Sequence, residues 1–224
     1  GEKPVQSKNK MLTTIGYQIN GKVNYALEGS VFISGAAVQW LRDQLGIISS
    51  ASEIEALAET VENNGGVTFI TAMAGLGAPY WDPHATASII GITRGTEKGH
   101  IARATLEAIA MRTKEIVIAM QKDAGITFKS LKVDGGGSTN NLLMQIQSNL
   151  LDVNVIRPET TETTALGAAF FAGLSSGYWP SLESLSDIWK VNKEFNPIRN
   201  KENKKIIDNW EQRISKMINC KPNE

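Results

Sequence analysis

The chain has 224 residues, 42% of them apolar and 21% charged, with Lys+Arg and Asp+Glu equal at 23 each. That length suffices for a sizeable core in one large or two small domains. The balanced charge, the lack of any Lys/Arg run and the scattered aromatics speak against a nucleic-acid partner. A lone cysteine, Cys220, excludes an internal disulfide framework, and with only His84 and His100 beside it no zinc cluster is expected.

In chain order, Leu12 to Ile19 is rich in β-formers, and Asn20-Gly21 supplies a tight turn into a second strand over Val23 to Leu27. A helix is predicted through about Leu45, with Ile33, Ala37, Trp40, Leu41 and Leu45 on one stripe. A second helix is predicted over Ser50 to Glu62, with Ser52 as its cap and Glu55 three residues on. Val67 to Ile70 reads as a short strand, Gly75 to Pro83 as a loop and Ser88 to Ile92 as a buried strand. The longest helix is expected from His100 to about Lys122.

Next comes the most informative stretch. Leu131 and Val133 alternate with polar residues as in a strand, Gly135, Gly136 and Gly137 follow, and Leu142, Leu143, Ile146, Leu150 and Leu151 recur at helical spacing. A strand, a turn without side chains and a helix N-terminus bring bare N–H groups and the positive end of a helix dipole to one place, which favours an anion. The same pattern also fits an ordinary tight turn, and it is neither a Rossmann fingerprint nor a Walker loop. A strand at Val153 to Ile156 is stopped by Arg157-Pro158. Thr164 to Leu174 is a helix of small residues suited to close packing, and a polar helix from Asn200 to about Ile218 turns Ile206, Ile207, Trp210, Ile214 and Met217 inward. The pattern as a whole is that of an α/β domain, with a core over about 11–178 and a helical tail over about 181–218.

Three segments together carry a family resemblance. The first is Ala87-Ser88-Ile89-Ile90-Gly91-Ile92, seven residues, then His100-Ile101-Ala102-Arg103-Ala104-Thr105-Leu106-Glu107. The second is the loop from Val133 to Asn141, and the third is Thr164-Ala165-Leu166-Gly167-Ala168-Ala169. In this order and at these separations the chain resembles the C-terminal half of the FGGY carbohydrate kinases. Tyr25-Ala26-Leu27-Glu28-Gly29, Gln39-Trp40-Leu41-Arg42-Asp43 and Gly75 to Asp82 bring it nearest to the branch that phosphorylates glycerol. Alternatives are an FGGY kinase for a pentulose or gluconate, and a stand-alone nucleotide-binding module.

The resemblance implies the second (C-terminal) lobe of a two-lobe kinase of the actin-like ATPase type, on a ribonuclease-H-like α/β core. It implies ATP or ADP with Mg²⁺ as the nucleotide, a cytoplasmic location, no nucleic-acid or membrane partner, and a homo-oligomer when full length. Four positions correspond to nucleotide contacts: Gly35 and Gln39, one helical turn apart, and Gly136 and Asn140 in the glycine loop. Read without the family, Gln39 is a solvated helix residue and Asn140 equally a helix cap. The general base and most of the glycerol pocket belong to the lobe that precedes this stretch in the family, so no catalytic residue is expected here. The start at Gly1 is read as the middle of a longer protein, and the separate chain is expected to be inactive. Gly137, where the family often has alanine, predicts a looser loop. His100 is expected to cap or face solvent, His84 to be solvated and Asp134 to be structural. Tyr80 and Trp81 are expected to anchor their loop, and Cys220 to be a bystander.

Overall fold

The computed structural model describes residues 1–219, so Cys220 lies outside the described residues. The chain divides into two units, one of residues 1–128 with the segment from Asn200 onward, the other of residues 129–199.

The first unit begins with the predicted hairpin. Asn20 and Gly21 take φ of 50° and 79°, the left-handed pair that a two-residue turn between twisted strands requires. They fold Leu12–Ile19 (β1) back antiparallel on Lys22–Glu28 (β2), with Gly16 the extra residue of a bulge. Helix α1 spans Gly35–Asp43 and buries Ala37, Val38 and Leu41. It stops short of Leu45, which is exposed, because the N–H groups of Gln44 and Leu45 both return to the Trp40 carbonyl and end the regular ladder.

Helix α2 is shorter than predicted, at Glu53–Ala58. Ser52 does not cap it: its backbone (φ −69°, ψ −21°) is already helical, where a capping residue is extended. The Glu53 carboxylate serves the end instead, accepting from the Ser49 N–H at 2.8 Å and from Ser50 Oγ at 3.2 Å.

Thr68–Ile70 (β3) is fully buried and pairs antiparallel with Ser88–Ile90 (β4). The buried strand expected through Ile92 is overturned: β4 is only partly covered, Ile92 is exposed, and Gly91 at φ +92° turns the chain away. Helix α3, Lys98–Ala124, is the longest element and is buried on most of its circumference over Ala102 to Arg112. Its first turn is tied by the Glu97 N–H donating to His100 Nδ1 at 2.9 Å, and Gly125, left-handed at φ 65°, closes its end. Val67, Phe69 and Ala104 form one apolar cluster, and Met11, Ala78, Ile116 and Ala119 another. The polar helix read from Asn200 is α6, over Lys201–Asn219, with Trp210 and Ile214 buried in this unit, whereas Val191–Phe195, inside the helical tail expected over about 181–218, is a strand.

The second unit is a three-stranded sheet in the order Ser130–Lys132 (β5), Asn154–Pro158 (β6), Val191–Phe195 (β7), parallel then antiparallel. Helix α4, Asn141–Leu151, joins β5 to β6 and buries Leu143, Met144, Ile146 and Leu150. Ser148 Oγ donates at 2.8 Å to the carbonyls of Val153 and Phe195, fastening α4 to the strands. Helix α5 spans Thr163–Ser176, and the packing role expected for it is overturned. Gly173 alone is buried, under Trp179, while Ala165, Ala168, Ala169 and Phe171 are exposed. Small side chains permit close approach but bury little area of their own, and no described element covers this stripe.

Candidate functional site

In the second unit the glycine segment is a well-bonded turn and not the looser loop expected from Gly137. Gly135 takes φ 72°, ψ 176°, a conformation open to glycine. Gly136–Thr139 then makes one turn of 3₁₀ helix. Ser138 closes it with its N–H and its Oγ, both donating to the Gly135 carbonyl at 3.1 and 2.7 Å, and Thr139 Oγ1 donates to the Gly136 carbonyl at 2.7 Å. Asn140 is the N-cap of α4, its Oδ1 accepting from the Leu143 N–H at 2.7 Å. That bond fixes the side chain and leaves the amide nitrogen on the other side of the group. Asp134 is bonded by Thr163 Oγ1 at the start of α5, and the Gly135 N–H donates to the Thr161 carbonyl at 2.8 Å, which supports a structural role for Asp134.

Arg157, expected only to end a strand, is the residue of this region that sequence reasoning missed. From β6 its Nη1 donates to the carbonyls of Ser138 and Thr139 at 2.8 and 3.1 Å.

In the first unit, Gly35 is the first residue of α1 and Gln39 lies one turn on, both exposed. Ser34 stands at the N-cap without a side-chain bond to the helix, so its hydroxyl does not use the first-turn donors. Gly35 and Gly136 have a feature in common. Neither takes a positive φ, and a Cβ built on either meets nothing within 4 Å. The fold of the chain itself demands glycine at neither position, and each lacks a side chain where space is open.

The other residues singled out in the sequence have structural partners or none. His100 lies in the first turn of α3, where its Nδ1 accepts from the N–H of the N-cap Glu97, and His84 is exposed. Tyr80 and Trp81 anchor the loop as expected: Tyr80 Oη donates to Glu115 Oε1 at 2.6 Å and Trp81 Nε1 to the Lys10 carbonyl at 2.7 Å. Around Glu115 lies a buried polar cluster with no sequence signal. Trp210 Nε1 donates to the same Oε1 at 2.7 Å, Arg112 donates to the other oxygen, and Arg112 Nη2 donates to the Ala78 carbonyl at 2.7 Å. Burial pushes the Glu115 carboxyl up despite the Arg112 cation, and burial together with the Glu115 charge pushes the Tyr80 hydroxyl well above its ordinary value. A second cluster joins Glu107 to Asn64, whose Nδ2 donates at 2.6 Å, with Arg103 Nε 3.4 Å from the other oxygen. Burial raises Glu107 to about 7.

The fold of this α/β chain is shared by solved carbohydrate kinases. A xylulose kinase structure from Lactobacillus acidophilus superposes on it with a TM-score of 0.78 over 96% of the chain, at 20% identity, which establishes the common fold. The chain belongs to the FGGY family of carbohydrate kinases, whose C-terminal domain model matches residues 1–176.

Among its relatives is a glycerol kinase of Deinococcus radiodurans, 54% identical over 213 residues, which are 95% of this chain and 42% of that protein. Glycerol kinase 2 of Thermotoga maritima is 53% identical over 97% of the chain and 44% of its own length. The structure of Plasmodium falciparum glycerol kinase with ADP matches with a TM-score of 0.87 at 38% identity, over 97% of the chain and 44% of that protein. The chain therefore spans less than half the length of the relatives it matches.

Proposed function

We propose that the chain is the nucleotide-binding C-terminal lobe of an ATP-dependent glycerol kinase. The intact enzyme would convert ATP and glycerol to glycerol 3-phosphate and ADP. The observation that carries this is identity above 50% with glycerol kinases along nearly the whole chain and, among solved structures, 38% with a glycerol kinase against 18–21% with xylulose and gluconate kinases of the same fold. Phosphoryl transfer of this kind rests on positioning and on charge stabilisation at the moving group. This lobe would contribute nucleotide contacts from Gly35, Gln39, Gly136 and Asn140. The open space over two glycines that the fold does not require, and the amide nitrogen of the capping Asn140, support that assignment.

Among the described residues no three His, Cys, Asp or Glu side chains converge on a metal position. Mg²⁺ enters this reading as part of the substrate MgATP, held through its phosphates, as the family resemblance implies. The general base and the glycerol pocket would lie in the other lobe, so the 224-residue chain alone should not phosphorylate glycerol. No helix among the described residues is long and apolar enough to cross a membrane. From the family resemblance, and not from that observation, we further propose a cytoplasmic location and a homo-oligomeric state for the intact enzyme.

The test is calorimetric titration of this chain with MgADP, alongside Gly136→Val and Asn140→Ala variants and an assay for glycerol-dependent ADP formation. Weak binding, weakened further by both substitutions, with no turnover, is the expected result. Turnover by the chain alone, or binding indifferent to both substitutions, would refute the reading.

A further inference from the structure

We propose that Arg157 is a positioning residue for the nucleotide: its guanidinium braces the turn that presents Gly136 and holds Asn140 in place. The proposal rests on the nucleotide reading above. Arg157 Nη1 donates to two successive carbonyls, Ser138 at 2.8 Å and Thr139 at 3.1 Å. Peptide groups are planar, so fixing these two oxygens fixes the planes of the Ser138–Thr139 and Thr139–Asn140 bonds. The second plane ends at the Asn140 Cα. From the other side, Asn140 is held through its Oδ1 by the Leu143 N–H at 2.7 Å. The residue is thereby clamped at backbone and side chain.

The brace is itself anchored. Arg157 Nε donates to Asn192 Oδ1 at 3.1 Å, and the guanidinium lies 5.5 Å from the centroid of the buried Phe195 ring, both partners on β7. Donation from a cation to carbonyls is stronger than a neutral hydrogen bond, and a planar fork with donors facing two ways can bridge Asn192 and the turn at once. A lysine has the charge but not the fork. The Ser138 and Thr139 carbonyls lie close to the end of the 3₁₀ turn, where its own ladder supplies fewer donors. A mere sheet arginine would have no reason to reach across to them.

The experiment uses the ¹⁵N-labelled 224-residue chain, its Arg157→Met and Arg157→Lys variants, amide hydrogen exchange, and MgADP titration followed in the same spectra. Arg157→Met should speed exchange at residues 138–141 about tenfold, as the loss of a charge-assisted bond implies, and leave the amides of β5, β6 and β7 near their wild-type rates. Arg157→Lys should recover only part of that protection, and both variants should bind MgADP more weakly. Should the methionine variant also loosen the sheet, the lysine variant decides, because it retains the charge and an apolar stem over Phe195. Wild-type exchange at 138–141 in Arg157→Met, or complete recovery with lysine, overturns the brace. A looser turn with undiminished MgADP affinity overturns its role in nucleotide positioning. Failure of the wild-type chain to bind MgADP, with the exchange result as expected, sinks the nucleotide reading and this proposal with it while leaving the mechanical brace in place.

Discussion

Glu107→Gln tests the energetics of the most deeply buried carboxylate on α3. Glu107 is 4% exposed, its Oε2 accepts from Asn64 Nδ2 at 2.6 Å, and Arg103 Nε stands 3.4 Å from Oε1. Desolvation raises its pKa from 4.5 to about 7; Glu202 on α6 adds to the rise, while the Asn64 bond and the Arg103 charge oppose it. Between those values the folded chain holds a proton that the unfolded chain has released. Stability from this group is therefore full below about pH 4.5 and is lost as pH rises through 7. At about 1.4 kcal/mol per pH unit the interval bounds the loss at about 3 kcal/mol. Glutamine mimics the protonated form and can still accept from Asn64. In urea unfolding followed by circular dichroism, Glu107→Gln should match wild type near pH 5. It should exceed wild type by about 2–3 kcal/mol at pH 8, less whatever Arg103 loses with its partner. The difference between the two curves isolates this residue from Glu115, which titrates in both. Parallel pH curves, or a variant less stable at pH 8, would refute the reasoning.

Arg112→Met should cost about 3–5 kcal/mol at pH 8, because it leaves the Glu115 carboxylate largely buried without its cation, and less as pH falls, since burial already pushes the Glu115 carboxyl up and loss of the cation pushes it further; urea midpoints at pH 8 and pH 5 check this. Gly91→Ala should lower the melting temperature by several degrees or prevent folding, since its Cβ would stand 2.2 Å from the Gly66 carbonyl at a φ of +92°. Asn140→Ala should lose about 1 kcal/mol of helix capping, which Asn140→Ser should largely keep. Both should weaken MgADP binding in calorimetry, and a serine variant that binds like wild type would reduce Asn140 to a cap.

Local patterns were the legible part of the fold. Asn20-Gly21 specifies its turn by backbone conformation alone, and the apolar spacing of α3 and α4 specifies their buried faces, so these elements are readable in any window that contains them. Ser52 misled because a capping serine and a serine already in helical conformation look alike in sequence. The stripe of α5 predicts packing by composition, yet what a helix packs against is supplied by other parts of the chain or by none. At the candidate site Gly136 and Asn140 were visible through the loop and the family, while Arg157 was not. Its partners are carbonyl oxygens 18 and 19 residues away, and a carbonyl carries no residue identity for a pattern to detect. Glu107 and Glu115 were hidden for a related reason: a glutamate on a helix reads as solvated until its neighbours are known.

The Glu115 cluster bears on how this lobe can drift in evolution. One carboxylate draws donors from three places far apart in sequence, namely Tyr80 in the loop, Arg112 on its own helix and Trp210 in the tail. Tyr80 and Trp210 meet at a single oxygen, so either alone keeps it hydrogen-bonded and the loss of one is buffered by the other. Arg112 has no such understudy. Substitution at the first two positions should thus be contingent on which of them went first, whereas replacement of the arginine is open only to lineages that neutralise Glu115 in the same step. That is historical contingency written into four side chains, and it makes the tail helix answerable to a loop about 130 residues before it.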